Sequence, residues 1–381
     1  MSINIYVKFS LQSEVWLDSL KTRKRKPISP ATLHAFGSYV RRLTPMIGEM
    51  KLAEVNNGAL RNLVQRLDKE KLSAKTINEL VVVVKSVVGS LVDENTGEPL
   101  LKREWSSRFI DCPTIAKQKQ PCVTTKDVER CLKESNSDQE KVLYAVLAGT
   151  GLRIAEALAI HVNGTQDQTS WSPEQVAIDI RSSIFNGREI PRLKTVAARR
   201  TVDLDPRLND LMAQYVEANS IQPGDYLFQA RSGRPMHVNT ARYRLAKHKI
   251  LGFHCFRRFY ISRRREMGVP EDLIRYAVGH SGRGITDRYS KLGENIELRR
   301  DWVLRAGLGF AIPELRLSGH PAPKSSRSSE ASSSKASSPA EPATSVESVT
   351  PVVDESTYVA EDSDLDDFFL STPELVAEEA I

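Results

Sequence analysis

The 381-residue sequence lacks several features that mark common functional classes. Its four cysteines, Cys112, Cys122, Cys131 and Cys255, show no CxxC spacing, so reduced thiols are expected rather than a zinc site or a redox pair. No run approaches the roughly 18 apolar residues that a membrane span requires. The start has no basic region followed by an apolar core and a cleavage site, so no secretory signal is predicted. These absences favour a cytoplasmic protein with no membrane partner.

The sequence also lacks the usual signatures of cofactor and metal sites. It has no glycine-rich loop of the Walker type, and no paired carboxylates or His/Cys cluster with ligand spacing. We therefore expect no cofactor and no metal ion. Hydrophobic residues make up 40% and charged residues 27% of the chain, which is ordinary for a globular protein of two or three domains.

Charge is unevenly distributed along the chain, whose formal net charge is +6. Residues 317–381 hold three basic and thirteen acidic side chains, so this tail carries −10 and residues 1–316 carry +16. A body this basic fits a polyanionic partner. The Ser/Ala/Pro-rich tail cannot bury enough apolar surface to offset chain entropy and is predicted to be disordered. Its end, DLDDFFLSTPELVAEEAI, is either a docking motif for an accessory protein or an inert acidic segment.

Residues 1–110 have the pattern of a small helical domain. In SPATLHAFGSYVRRL, Ser29 is predicted to cap a helix that begins at Pro30, with apolar residues at helical spacing. The segment SAKTINELVVVVKSVVGSLV is predicted, from its length and a cap at Ser73, to be a buried helix rather than a strand. The basic run KTRKRK, residues 21–26, fits a solvated loop and a phosphate contact equally well.

The pattern changes after residues 111–122, which contain two prolines and are predicted to link two domains. Beyond this linker the sequence predicts a mainly α-helical domain with a small antiparallel β-sheet. Apolar residues alternate with polar ones over 176–180 and 202–204, and Asn186–Gly187 is a strong hairpin signal. We expect these segments to form three strands, with Lys194 near the second turn.

Five short segments of this second domain carry side chains suited to phosphate chemistry. Each has an ordinary structural explanation when it is taken alone, because isolated motif matches have a high false-positive rate. The segments are TGLRIAE with Arg153 and Glu156, RLKT with Lys194, HCFRR with His254 and Arg257, GH with His280, and DRYS with Tyr289.

In this order the five segments resemble the motif set of the tyrosine recombinase (phage integrase) family. That set has an arginine in T-G-L-R, a hairpin lysine, H-x-x-R, G-H, and a tyrosine nine residues after that histidine. The resemblance covers about residues 123–306, and the helical residues 1–110 look similar to the family's core DNA-binding domain. It implies a two-domain DNA clamp with these parts: a core-binding domain at 1–110, a linker at 111–122, a catalytic domain at 123–316 and the tail at 317–381.

The resemblance implies that Tyr289 is the nucleophile, which attacks a DNA phosphodiester and forms a 3′-phosphotyrosyl intermediate. A tyrosine with an ordinary pKa of about 10 needs a positive field to react near neutral pH. Arg153 and Arg257 supply such a field, since each offers planar bidentate donors to the phosphate oxygens and stays charged.

The same resemblance gives roles to four further side chains. Lys194 stands at the position of the general acid that protonates the leaving 5′ oxygen. His254 shares the phosphate and assists proton transfer on the nucleophile side, and His280 hydrogen-bonds the phosphate region. Glu156, three residues after the first arginine, is expected to orient active-site groups without contacting the substrate.

Two places depart from the family pattern. Arg258 stands where many relatives have histidine, and the SGRG that follows His280 is richer in glycine and charge than usual. Neither removes a catalytic position, so the class of enzyme that the resemblance implies is unchanged. The chain starts directly at helices similar to the core-binding domain, from which we expect no arm-type domain and a simpler recombination site.

The leading hypothesis is a site-specific DNA recombinase or integrase that exchanges strands as a tetramer on paired double-stranded DNA sites. One alternative is a topoisomerase IB-like or resolvase-like enzyme that uses the same chemistry on one duplex. Another is a DNA-binding regulator with this fold and no chemistry. The segment ENIELRRDWVLRAG, after Tyr289, is predicted to be a helix that packs either in its own domain or on a neighbouring protomer.

Overall fold

The computed structural model describes residues 6–25, 27–116, 121–191, 193, 198–280 and 292–315. These residues belong to two compact units with the boundary near residue 118, and each unit has its own apolar core. The predictions made for Lys194, for Tyr289 and for the tail at 317–381 concern residues outside this part of the chain.

The first unit is helical, as the sequence predicts. Ser29 accepts a hydrogen bond from the Thr32 amide at 3.1 Å, and Ser73 accepts one from the Thr76 amide at 3.1 Å, so both predicted caps are confirmed. The helices are α1 (Phe9–Lys21), α2 (Pro30–Ile47), α3 (Asn57–Lys69), α4 (Ala74–Gly89) and the short α5 (Ser107–Ile110), with a 3₁₀ turn at Leu52–Glu54.

Helix α4 is the central helix of this unit, and its valine run adopts the helical form despite the β propensity of valine. Val81, Val83 and Val84 are all buried. Burial of one such side chain stabilises by about 1.5–3 kcal/mol, which exceeds a helix propensity penalty of under about 0.7 kcal/mol. The basic run starts at the last residue of α1, and residues 21–25 are exposed.

The second unit is mainly helical and carries small sheets, so the predicted fold class is confirmed. Its helices are α6 (Thr125–Glu134), α7 (Asp138–Thr150), α8 (Ile154–Ala157), α9 (Pro206–Ala218), α10 (Val238–Ala246), α11 (His254–Glu266), α12 (Glu271–Val278) and α13 (Ile296–Ala306). Its strands are β1 (His161–Val162), β2 (Ser170–Ser172), β3 (Ala177–Ile180), β4 (Ser183–Phe185), β5 (Arg188–Ile190) and β6 (Arg200–Asp203).

The strands are divided differently from the predicted three-stranded arrangement. One sheet has the order β1-β2-β3-β6, with β1 parallel to β2 and the other pairs antiparallel, while β4 and β5 form a separate hairpin around Asn186–Gly187. The split occurs because Thr169 takes the place of a strand partner: its hydroxyl accepts from the amides of Arg181 and Ser182 at 3.0 and 2.8 Å. With these amides satisfied, the chain can leave the sheet there.

Helix α7 is buried from Glu140 to Thr150 and forms the centre of the second core. Tyr144 on α7 stacks on Phe256 of α11 with 5.7 Å between ring centroids. Helix α13 packs on its own unit through Arg299, which is buried and donates to Asp203 at 2.6 Å. No helix in the described ranges is long and apolar enough to cross a membrane.

Candidate active site

Helix α11 carries two of the predicted site residues in its first turn. His254 and Arg257 are three residues apart and therefore lie on the same face of the helix. Arg257 is buried, and its guanidinium donates to the Gly151 carbonyl at 2.9 Å and to the Val278 carbonyl. These carbonyls belong to the segments just before Arg153 and His280, so one side chain joins three of the five motifs.

The turn that delivers Arg153 depends on Gly151. This glycine ends α7 with a φ of 67°, and a Cβ placed on it would lie 2.7 Å from Cδ1 of Tyr260 on α11. A residue with a side chain would therefore meet both backbone strain and a steric clash. The close approach lets the chain reverse against α11 and place Arg153 at the start of α8.

Glu156 is a buried carboxylate held by two arginines. Arg153 donates to Oε1 at 3.0 Å through its guanidinium and to Oε2 at 3.0 Å through its backbone amide. Arg200 donates to Oε2 at 2.9 Å. Burial alone would raise the pKa of Glu156, but the charges of Arg200 and Arg153 outweigh it and hold the pKa at about 2. The carboxylate is therefore ionised at neutral pH and orients both guanidinium groups.

Arg200 is a site residue that the sequence reasoning missed. It lies on β6 and its side chain has no solvent exposure. Besides Glu156, its guanidinium donates to the carbonyls of Ala277 at 2.7 Å and Ala198 at 2.9 Å. The signal was present, since Arg200 precedes Val202 and Leu204 at a spacing of two and so shares their buried face. A charge on a buried face needs a partner, and Glu156 was already a candidate.

The backbone just before His280 passes close to the Arg200 side chain. Gly279 has a φ of 67°, and a Cβ placed on it would lie 3.0 Å from Nη1 of Arg200. Glycine at this position therefore allows both the left-handed backbone and the close passage over the guanidinium. As a result Arg200 supports the turn from α12 into His280 on one side and Glu156 on the other.

His280 is in a strongly positive environment. Desolvation by the surrounding protein and the charges of nearby cationic groups lower its pKa to about 4. In order of effect the neighbouring groups are Arg257, Arg153, Arg200 and His254. The imidazole is therefore neutral at pH 7 and able to donate or accept a hydrogen bond. An anion placed here would be attracted by the arginines.

The structure thus brings together five of the seven residues predicted for the site: Arg153, Glu156, His254, Arg257 and His280. Lys194 and Tyr289 lie outside the described residues. Arg258, the departure from the family pattern, donates to the Pro121 carbonyl at 2.8 Å. Among the described residues there is no group of three or more His, Cys, Asp or Glu side chains that could hold a metal ion.

Comparison with known proteins agrees with this geometry. Residues 122–295 match the model of the phage integrase family. This part of the chain belongs to that family. The matched range of the integrase domain includes the positions of both Lys194 and Tyr289. No curated protein matches the chain in sequence.

Solved structures share the fold of this chain at low sequence identity. One is the Tn1549 transposon integrase with a circular intermediate DNA: 14% identity, 76% of this chain and 99% of that chain covered, TM-score 0.55. The same integrase with transposon right end DNA is 16% identical, with 72% of this chain and 92% of that chain covered and a TM-score of 0.53. A lambda integrase tetramer bound to a Holliday junction is 13% identical, with 76% of this chain and 78% of that chain covered and a TM-score of 0.50.

Proposed function

We propose that this chain is a site-specific DNA recombinase that cuts and rejoins strands through a covalent tyrosine intermediate. The observation that carries the proposal is the cluster of Arg153, Arg257, His254 and His280 around the buried Glu156–Arg200 pair, inside a domain of the phage integrase family. Such a cluster is suited to holding one phosphate of a DNA strand.

In the proposed reaction the Tyr289 hydroxyl oxygen attacks the scissile phosphorus. The new bond joins phosphorus to the tyrosine oxygen, and the bond from phosphorus to the 5′ oxygen breaks. Negative charge increases on the non-bridging oxygens during this step, and Arg153 and Arg257 stabilise it. Loss of one such preorganised donor typically costs about 3–4 kcal/mol of transition-state stabilisation. The 3′-phosphotyrosyl bond keeps the energy of the diester, so rejoining requires no nucleotide.

The proton transfers are assigned to two further residues. Lys194 gives its proton to the leaving 5′ oxygen, and His254 assists removal of the proton from Tyr289. His280, neutral at pH 7, hydrogen-bonds the phosphate region. Glu156 and Arg200 are positioning residues, because both are buried and bonded to each other, and Glu156 also holds Arg153.

The proposed partner is double-stranded DNA, contacted by the basic body of the chain. The solved lambda integrase is a tetramer on a Holliday junction, and we extend that arrangement to this chain on paired sites. The domain limits of 1–110 for core binding and 123–316 for catalysis belong to the same proposal. An accessory protein that binds the acidic tail at 317–381 is a further part of it.

A covalent trapping assay tests the chemistry. The protein and its Tyr289→Phe variant are incubated without added metal with nicked duplexes that carry a candidate site from beside its own gene. A denaturant-resistant adduct on a 3′ end, formed only with Tyr289, supports the proposal. Absence of any adduct on DNA that the protein binds would favour a regulator without chemistry. Product formation from one duplex alone would favour the topoisomerase-like or resolvase-like alternative.

A further inference from the structure

A second network of buried polar groups lies in the same unit and has no role in the chemistry described so far. Its centre is Glu189, the middle residue of β5. One carboxylate oxygen accepts from His161 Nε2 and from the Tyr226 hydroxyl, each at 3.0 Å, and the other accepts from the Ser182 hydroxyl. The three donors come from β1, from the segment after α9 and from the residue just before β4. This carboxylate therefore ties the β4–β5 hairpin to two other parts of the unit.

The hydrogen bonds of His161 show that the tie is an ion pair. Its Nδ1 lies 2.8 Å from the Gly224 carbonyl and its Nε2 lies 3.0 Å from the Glu189 carboxylate. With Glu189 ionised both partners accept, so both ring nitrogens donate and the imidazole is charged. The amide nitrogen of Gln168, 3.3 Å from Nε2, can only donate, so it bonds Nε2 only in the neutral ring; the shorter 3.0 Å contact with the carboxylate favours the charged ring.

The other groups around His161 agree with the charged form. Burial alone would lower its pKa, but the hydrogen bonds to Glu189 and Gly224 and the charges of Glu189 and Asp225 raise it above the usual value. The Tyr226 ring packs on the imidazole with 4.0 Å between centroids. The His161 side chain is 4% exposed and that of Glu189 is 20% exposed, so solvent weakens the pair little.

This network lies at one end of the segment that contains Lys194. The hairpin ends at Ile190, β6 begins at Arg200, and nine residues including Lys194 connect them. Arg200 fixes the far end of the connection through its buried pair with Glu156. Glu189 fixes the near end. There the hairpin has little apolar anchorage, since Ile184 on β4 is its one described side chain within the buried apolar core. One end of the segment that carries the lysine is thus held by a partly buried ion pair and the other by a fully buried one.

We infer that Glu189 is a positioning residue for Lys194: its hydrogen bonds to His161, Tyr226 and Ser182 hold the hairpin so that the lysine reaches the leaving 5′ oxygen. The inference rests on the proposed function, in which Lys194 is the general acid. It assigns Glu189 to the proton-transfer step and to no step of DNA binding.

The test separates proton delivery from all other effects of a substitution. Nicked duplexes are made with sulfur in place of the bridging 5′ oxygen at the scissile phosphate. A thiol has a pKa of about 8.5, so the thiolate leaves without being protonated and needs no general acid. Single-turnover formation of the covalent adduct is measured on the oxygen and sulfur substrates, and DNA affinity is measured separately.

Four variants are compared with the unaltered chain. Glu189→Gln keeps the size of the side chain but removes its charge, and Tyr226→Phe removes one donor with little change of shape. Lys194→Met removes the general acid. Glu174→Gln makes the same chemical change as the first variant at an exposed position of the same unit and serves as the matched control.

On the oxygen substrate, Glu189→Gln is expected to slow cleavage by about tenfold to a hundredfold, since small misplacements of a catalytic group have effects of that size. Tyr226→Phe should slow it less and Glu174→Gln should not. On the sulfur substrate Glu189→Gln, Tyr226→Phe and Lys194→Met should all cleave at the unaltered rate, with DNA affinity unchanged throughout.

Two other outcomes overturn different parts of the argument. If Lys194→Met is rescued by sulfur but Glu189→Gln and Tyr226→Phe stay slow, the network has a general structural role and the inference fails alone. If Lys194→Met is not rescued, the lysine is not the general acid, so that part of the proposed function fails and the inference fails with it.

Discussion

At the scale of single residues, the site depends on charges that are removed from water. A buried ion pair gains little net stability over apolar packing, because desolvation offsets the attraction. Removal of one partner is different, since it leaves the other charge buried and unpaired. Glu156 and Arg200 form such a pair, and their side chains are 3% and 0% exposed. The pair therefore fixes geometry more than it adds stability.

The first prediction concerns this pair. Arg200→Met should lower the free energy of unfolding by about 3–5 kcal/mol, because Arg153 is then the one arginine shown to hydrogen-bond the buried Glu156 carboxylate. The double variant Arg200→Met with Glu156→Leu should lose less than the sum of the two single changes. Urea unfolding of the four proteins gives the coupling energy. Strict additivity of the two changes would contradict the buried pair.

The second prediction concerns His280 and the sign of its pH dependence. In the folded chain its pKa is about 4, below the usual value near 6.5, so the unfolded chain binds more protons between these values. The contribution of this group to stability should therefore rise as pH increases from about 4 to about 6.5 and stay constant above.

A proton NMR titration, with His280→Gln to assign the signal, measures this pKa directly. On binding duplex DNA the pKa should rise, because a phosphate near the arginines favours the charged imidazole, and protons should be taken up near pH 5. A free-protein pKa near 6.5 for His280 would show that the arginines do not surround it.

At the scale of elements, the site is assembled by close packing of α7 against α11. Gly151→Ala should destabilise the fold by roughly 1–3 kcal/mol, because of its positive φ and the 2.7 Å approach to Tyr260. It should also slow strand cleavage, since Arg153 follows two residues later. Gly89→Ala at the end of α4 is the control, with nothing within 4 Å of the added Cβ and a helical backbone. Thermal unfolding with equal shifts for both variants would argue against the packing role.

The elements also show how far sequence reasoning reaches. Helices α2 and α4 were predictable, because a serine cap and dense apolar spacing act locally at Ser29 and Ser73. The Asn186–Gly187 turn was predictable for the same reason. Strands β1 and β2 were missed, since two or three residues are too few to show a period. Their pairing is set by long-range contacts, such as those of Thr169 with residues 181 and 182.

The candidate site follows the same division. Arg153, His254, Arg257 and His280 were recognisable because each lies in a short motif of the family. Arg200 and Glu189 belong to no such motif, and the partners that hold them lie far along the chain: Glu156 is 44 residues from the first, and His161 is 28 residues from the second. A charged residue on a strand is therefore hard to assign from sequence pattern alone, because its role is set by a partner that the pattern does not show.

At the scale of the whole molecule, charge is divided between a basic body and an acidic tail. The tail at 317–381 carries −10 and the remaining chain carries +16. A tethered anionic segment stays at a high effective concentration near any basic surface of the same chain. We therefore expect the tail to compete with DNA phosphates for the same Lys and Arg side chains, whatever sequence of bases is bound.

The last prediction follows from this competition. Deletion of residues 317–381 should tighten binding of duplex DNA by about tenfold at low salt, and the gain should fade as salt screens the charges. A full-length variant with the thirteen acidic residues of the tail replaced by Asn and Gln separates charge from length. If charge is the cause, this variant gains affinity as the deletion does, with the same dependence on salt. If it binds like the unaltered chain while the deletion binds more tightly, the tail acts by its bulk, and the electrostatic account is wrong.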